Sequence, residues 1–328
     1  MGNILQDIVK ELDGACLLRD EFTEKVYFDS GSYALNYVLS GKFTGGYVLG
    51  TILEICGESS SAKTVFLTHG YVEAQKKKYF TVMVDNEHAY APEFAEVLGV
   101  DPDKLIYAEP VTVEQCFQFL EDVVLAIRKK DKKTPILLGF DSIGTPPSNK
   151  EMEGNYGDNS EINGALRAKA VGAALRRFNS FLKKNRATLI IINQFRSKIG
   201  FVMGDPNTKA GGGRSLEFYC GGSIVTSSPN KGRMVDDLKN PIGIQGRLRN
   251  TKNKHAIPYQ SCEFELIYDK GITREYGLWE IAMKKGIIVS PANGYYAFAE
   301  GYTEGDKRYR KDTINTMIAK KIEDGELD

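Results

Sequence analysis

Short apolar runs bounded by Gly, Pro and Asp alternate along this chain with longer stretches in which apolar positions recur every three or four residues. Residues 51–56, 79–84, 105–107 and 135–141 follow the first pattern and read as strands, whereas residues 63–76, 92–98 and 113–128 follow the second and read as helices. Strand and helix succeed one another from residue 37 to residue 134, and units of that kind predict a mainly parallel sheet. The expected fold class is α/β. A helix at roughly 163–184 and strands at 188–193, 222–227, 242–249 and 262–268 complete an expected core of residues 33–268. Ahead of it, residues 1–32 carry a short amphipathic pattern (Ile4, Ile8, Val9, Leu12), too small for a core of its own and therefore expected to dock on another surface. From Gly271 the pattern turns to helices and short strands around Trp279 and Tyr295-Tyr296-Ala297-Phe298, which predicts a small α/β C-terminal domain over 269–328.

Two stretches break the alternation. Between residues 146 and 163 apolar positions nearly vanish, and a long loop inside an α/β domain is usually functional. A second loop, residues 195–214, is rich in glycine and sets Arg196, Lys198, Lys209 and Arg214 against one acid, with apolar residues such as Ile199 among them. Flexible backbone, cations and insertable apolar side chains suit a single-stranded nucleic acid, although an ordinary charged surface loop has the same composition.

Composition changes little in this picture. Lys plus Arg and Asp plus Glu each total 43, so no overall cationic field draws the chain to nucleic acid, and such binding has to come from local patches. The helix near 163–184 is one patch, with Arg167, Lys169, Arg176, Arg177, Lys183 and Lys184. Five cysteines (Cys16, Cys56, Cys116, Cys220, Cys262) are widely spaced without a Cys-x-x-Cys pair, which favours buried thiols in a reducing compartment. No run approaches the roughly 18 apolar residues of a membrane span, and the N-terminus lacks the signature of a secretory signal.

The candidate chemistry begins at Gly57-Glu58-Ser59-Ser60-Ser61-Ala62-Lys63-Thr64. A strand that breaks at glycine into small or polar residues and then Lys-Thr turns backbone N–H groups toward phosphate oxygens at a helix N-terminus. In this P-loop reading, Lys63 reaches the β- and γ-phosphates and the Thr64 hydroxyl holds Mg²⁺. A Ser-rich helix cap after a core strand is the plain alternative. Asp141 ends the strand over 135–141 at the edge where open α/β sheets bind ligands, and suits a second acid on the Mg²⁺ side or a cap for the turn at Ser142.

Taken together, Gly57 to Thr64, Met83-Val84-Asp85-Asn86-Glu87-His88-Ala89, Ile136 to Ser142, Glu153-Gly154-x-x-Gly157-Asp158, Ile192-Asn193-Gln194 through Gly213, and Lys252-Asn253-Lys254 resemble the RecA family of recombinases across nearly the whole chain. The divergent P-loop and short tail are closer to phage recombinases of the UvsX kind. The resemblance implies a RecA-like ATPase core, a filament on single-stranded DNA that pairs it with homologous duplex, ATP and Mg²⁺ as nucleotide and metal, and a place in the cytoplasm, on the nucleoid or inside an infected host. It further implies that Glu87 activates the attacking water, that Gln194 senses the γ-phosphate, and that Lys252 and Lys254 reach the nucleotide of a neighbouring protomer. Arg176, Ile199, Gly211 and Gly212 match DNA-contacting positions, with Arg167, Lys169, Arg196, Lys198, Gly200 and Gly213 expected beside them. Ala62 stands where the family has Gly, and Ala91 and Phe94 stand where bacterial members have Asp and Tyr around adenine. An accessory protein without ATP turnover, or a helicase of the same fold, is the alternative function.

Overall fold

The computed structural model describes residues 2–12, 17, 25–154, 160–197, 207–209, 213–228, 232–302 and 307–328. Its centre is a sheet in which β9 (Gly222–Ser227), β3 (Ile52–Gly57), β7 (Ala187–Ser197), β6 (Ile136–Asp141), β4 (Phe80–Asp85) and β5 (Leu105–Ala108) run parallel in that spatial order. β11 (Pro241–Asn253), β12 (Ser261–Ile267) and β13 (Gly271–Ile272) extend it antiparallel beyond β9.

The two-residue period of a strand sends neighbouring side chains to opposite faces. Ile190 and Ile192 accordingly join one buried cluster, with Phe66 and Leu67 of α3 (Lys63–Lys76) and Leu35 of α2 (Tyr33–Ser40). Leu189 and Ile191 join the other, against α5 (Val113–Lys130) and α7 (Ser160–Lys184). α5 starts at a capping box between Thr112 and Gln115 and buries Val113, Cys116, Phe117, Leu120, Val124 and Ile127, the helical stripe that its sequence predicts.

Residues after Gly271 bury Leu278, Ile281, Ile288, Phe298, Ile314 and Ile318 in the same cluster as α2 and α3, from α9 (Leu278–Lys284), the hairpin β14 (Ile288–Ala292) and β15 (Tyr295–Phe298), and α10 (Lys311–Glu323). At the other end of the chain, α1 (Gly2–Glu11) forms where the amphipathic pattern predicts it, with Ile4, Leu5 and Ile8, and Leu12 just beyond it, between 46 and 64% exposed.

The expected loops are more ordered at their margins than the sequence suggests. Within 146–163, Ser148 and Glu151 close a capping box on α6 (Asn149–Met152), and α7 begins at Ser160. β7 continues past Gln194 to Ser197 and pairs with β8 (Asn207–Lys209), Phe195 opposite Lys209 and Arg196 opposite Thr208. Antiparallel pairing satisfies the backbone of residues that have left the parallel sheet, so the second loop springs from a hairpin. β11 likewise runs on through Lys252 to Asn253, with an irregularity between Asn250 and Lys252.

Candidate nucleotide site

Parallel strands aligned side by side end together, and β3, β4, β6 and β7 deliver their last residues to one edge, Asp85 opposite Asp141 and Gly57 opposite Gln194. Residues 59–65, Glu87, Phe94, Asp141, Gln194, Ile244, Leu266 and Tyr268 line a cleft of about 390 Å³ there. The P-loop folds tightly around its own groups. Ser61 Oγ donates to Glu58 O at 2.8 Å, Thr226 Oγ1 donates to Ser61 O at 2.6 Å, and Lys63 Nζ donates to Glu58 O at 2.5 Å. Burial, partly offset by the Asp141, Cys56, Glu87 and Glu58 charges, lowers the Lys63 ammonium. A Cβ at Gly57 would lie 2.6 Å from Ser61 Oγ and from Thr226 O, so this turn admits glycine alone. Ala62 has φ +66°, in the left-handed region, where a side chain costs about 1 kcal/mol and glycine nothing. The methyl group is thus a strained departure from glycine.

Thr64 Oγ1 donates to Asp141 Oδ2 at 2.5 Å, across the gap between α3 and β6. Burial raises the Asp141 carboxyl to about 7; the Thr64 hydrogen bond and Lys63 oppose the rise, while Glu87 and Asp85 add to it. A hydroxyl and a carboxylate at 5% exposure form an oxygen-only donor pair of the kind a hard divalent cation takes, and a cation there would hold Asp141 ionised. These two residues fit Mg²⁺. Glu87, half-buried, accepts at Oε1 from Ser142 Oγ at 2.6 Å and from Gln194 Nε2 at 2.5 Å, and both bonds aim the carboxylate.

The expected residues divide by place. Gly57, Glu58, Ser59, Ser60, Ser61, Ala62, Lys63, Thr64, Glu87, Asp141, Gln194 and the 41%-exposed Phe94 gather in or beside the cleft. Lys252 and Lys254 do not. Lys252 pairs with Ser223, whereas Gly57 pairs with Thr226, so Lys252 sits toward the end of β9 remote from the P-loop. Its Nζ donates to Glu217 O and, at 3.2 Å, to Phe218 O, and Lys254 Nζ donates to Phe218 O at 3.3 Å, carbonyls of α8 (Gly213–Tyr219).

Arg167 is engaged by Glu151 at 2.9 Å and by Gly144 O at 3.0 Å, tying α7 to α6. Lys169 is exposed on α7, and Arg176 donates to Tyr219 Oη at 3.2 Å. The backbone places Arg196 in β7 and Gly213 at the start of α8, while Lys198, Ile199, Gly200, Gly211 and Gly212 lie outside the described residues. Sequence reasoning gave no role to Ser142, Ile244, Leu266 or Tyr268. The last three come from β11, β12 and the residue after β12, whose approach to the cleft depends on antiparallel strands folding back beside β9.

Known proteins bear on this geometry. A family profile described as the RecA N-terminal domain matches residues 3–273. Protein RecA of Tropheryma whipplei is 32% identical over 326 residues, 97% of this chain and 70% of its own. Protein RecA of a Nocardioides species is 34% identical over 278 residues, 85% of this chain and 73% of its own, and that of Streptomyces ambofaciens is 35% identical over 278 residues, 85% and 69%. With a P-loop, a paired Thr and Asp, and a doubly held Glu at one sheet edge, and with that similarity running through core and C-terminal segment alike, the chain belongs to the RecA family.

Proposed function

We propose that this chain is an ATP-dependent recombination protein that assembles on single-stranded DNA, pairs it with homologous duplex and hydrolyses ATP when DNA is bound. The observation that carries the reading is Glu87 held between Ser142 and Gln194, beside the Thr64–Asp141 pair and bonded through Gln194 to the strand that leads to the second loop. Lys63 and the P-loop amides would bind the phosphates, and Glu87 would orient a water and take its proton. Gln194 would report γ-phosphate occupancy to Phe195 and the β7–β8 hairpin, because its amide is bonded to Glu87 at one end and its backbone continues into that hairpin. Bound at Thr64 and Asp141, Mg²⁺ would supply charge to offset that of the phosphate oxygens.

Two features support assembly through copies of the chain. The apolar face of α1 is exposed, as a docking segment requires. Lys252 and Lys254 are remote from their own P-loop and near the C-terminal carbonyls of α8, a position from which they would act only on a neighbour's nucleotide. The test is ATP hydrolysis with and without single-stranded DNA, alongside strand exchange. The reading expects DNA to raise hydrolysis in the wild type, and a rate indifferent to DNA would leave a nucleotide-binding accessory protein instead.

A further inference from the structure

Asp85 ends β4 directly before the turn that carries Glu87 and is 1% exposed. Its Oδ1 accepts from the backbone N–H of Glu87 at 2.9 Å and of His88 at 3.0 Å, and its Oδ2 accepts from those of Ala89 at 3.1 Å and Tyr90 at 3.0 Å. Four consecutive amides on one carboxylate fix the direction in which the turn leaves the strand, with His88 at φ +53° inside it. From the neighbouring strand Tyr107 Oη lies 3.0 Å from Asp85 Oδ2, and its single proton can serve Asp85 or Glu109 in turn. The same hydroxyl lies 2.5 Å from Glu109 Oε1, and Glu109 Oε2 lies 3.1 Å from His88 Nδ1. Burial, together with the neighbouring Glu109 and Asp85 carboxylates, pushes the Tyr107 phenol up, so its proton stays on the oxygen.

We propose that Tyr107 is a positioning residue for ATP hydrolysis, its hydroxyl standing between the Asp85 and Glu109 carboxylates and so keeping the Asp85-wrapped turn, and Glu87 with it, aimed at the water. The inference rests on Glu87 as the base. Without the hydroxyl, two like charges face each other across the space it leaves, and Asp85 turns away from Glu109. The amides of residues 87–90 follow it. Glu87 is then drawn off its bonds to Ser142 and Gln194, and a displacement near 1 Å in a reacting group costs up to about a hundredfold in rate.

Tyr107→Phe is the test, because the ring is 42% exposed and loss of its hydroxyl opens no core cavity. DNA-stimulated kcat should fall about tenfold while the KM for ATP changes less than about twofold. Adding Glu109→Gln removes the opposing charge and should restore most of the lost kcat, a rescue that plain structural support would not give. In a Glu87→Gln background, Tyr107→Phe should change the residual rate by less than about twofold, since the group it positions is gone. An unchanged kcat for Tyr107→Phe, no rescue by Glu109→Gln, or an undiminished loss in the Glu87→Gln background would each overturn the proposal. Glu87→Gln alone turning over ATP at the wild-type rate would instead overturn the base assignment beneath it.

Discussion

In the nucleotide cleft Glu87 and Asp141 are each gripped from two sides, whereas the last residues of β7, which lead toward the second loop, are tied by a short hairpin to β8. Glu87 is held by Ser142 and Gln194, and Asp141 by its strand and Thr64. Phe195, Arg196 and Ser197 instead pair, among the described residues, with Asn207–Lys209. The difference follows from the work proposed for each region. Phosphate chemistry requires donors fixed in advance, because reorganisation at the moment of reaction adds to the barrier. A strand that must be sampled along its length calls for cations and apolar groups on backbone that can adapt. Gln194 belongs to both, with its side chain in the first region and its backbone leading to the second.

The largest test of this contrast lies in the cleft. Lys63→Ala should abolish nucleotide binding, whereas Glu87→Gln should retain ATP and DNA binding and lose about a hundredfold or more in hydrolysis. Binding of a fluorescent ATP analogue, read beside phosphate release, separates the two. If both variants fail at binding, the carboxylate is holding the cleft's shape, and the proposed division between binding and water activation breaks.

How far the sequence could be read follows the same contrast. The P-loop was legible because strand, glycine, lysine and helix lie within a few consecutive residues, and Asp141 and Glu87 because each follows an apolar strand. Asp85 stood in the same motif, but its wrapping by four amides depends on backbone turning that composition does not encode. Tyr268 reaches the cleft only through long-range antiparallel pairing. The hairpin over β7 and β8 was hidden for a different reason. Apart from Phe195 its residues are polar and glycine follows them, so nothing in the pattern announced that Phe195 would meet Lys209.

Both regions stand on one scaffold, and acid should show it. Burial, with Lys76 and Arg274 adding to it, lowers His69 to about 4, and its Nε2 accepts the backbone N–H of Ile272 at 2.9 Å. Between pH 6.5 and 4 the unfolded chain binds a proton that the folded chain refuses. The contribution is therefore complete above pH 6.5 and is lost as pH falls through that window, by roughly 3 kcal/mol. His69→Gln, which does not titrate, should flatten the pH dependence of denaturant midpoints in that range. An unchanged slope would mean that other groups set the acid limit.

The joint between the regions predicts a smaller effect. Gln194→Ala removes the 2.5 Å bond to Glu87 and leaves Lys63, Thr64 and Asp141 in place. Basal hydrolysis should fall only a few-fold, while its stimulation by single-stranded DNA falls about tenfold, the value of a hydrogen bond of roughly 1.5 kcal/mol to a charged group. Steady-state rates over a DNA titration would measure this, and equal losses with and without DNA would confine Gln194 to the cleft.

The smallest effects belong to the second loop, where cations and wedge should fail in different ways. Arg196→Ala or Lys198→Ala removes one neutralised phosphate and should weaken single-strand binding several-fold for every sequence, while lowering the slope of log affinity against log salt by about 0.7. Ile199→Ala loses no charge, so its slope should match the wild type. If Ile199 parts stacked bases so that a strand can be compared with a duplex, its loss should spare ATP binding and reduce strand exchange more than DNA affinity. Titrations of labelled single strands at several salt concentrations, run beside a strand-exchange assay, measure both quantities. Equal losses of affinity and exchange for Ile199→Ala would make it ordinary loop packing, and the contrast proposed between the cleft and the DNA side would then rest on the cations alone.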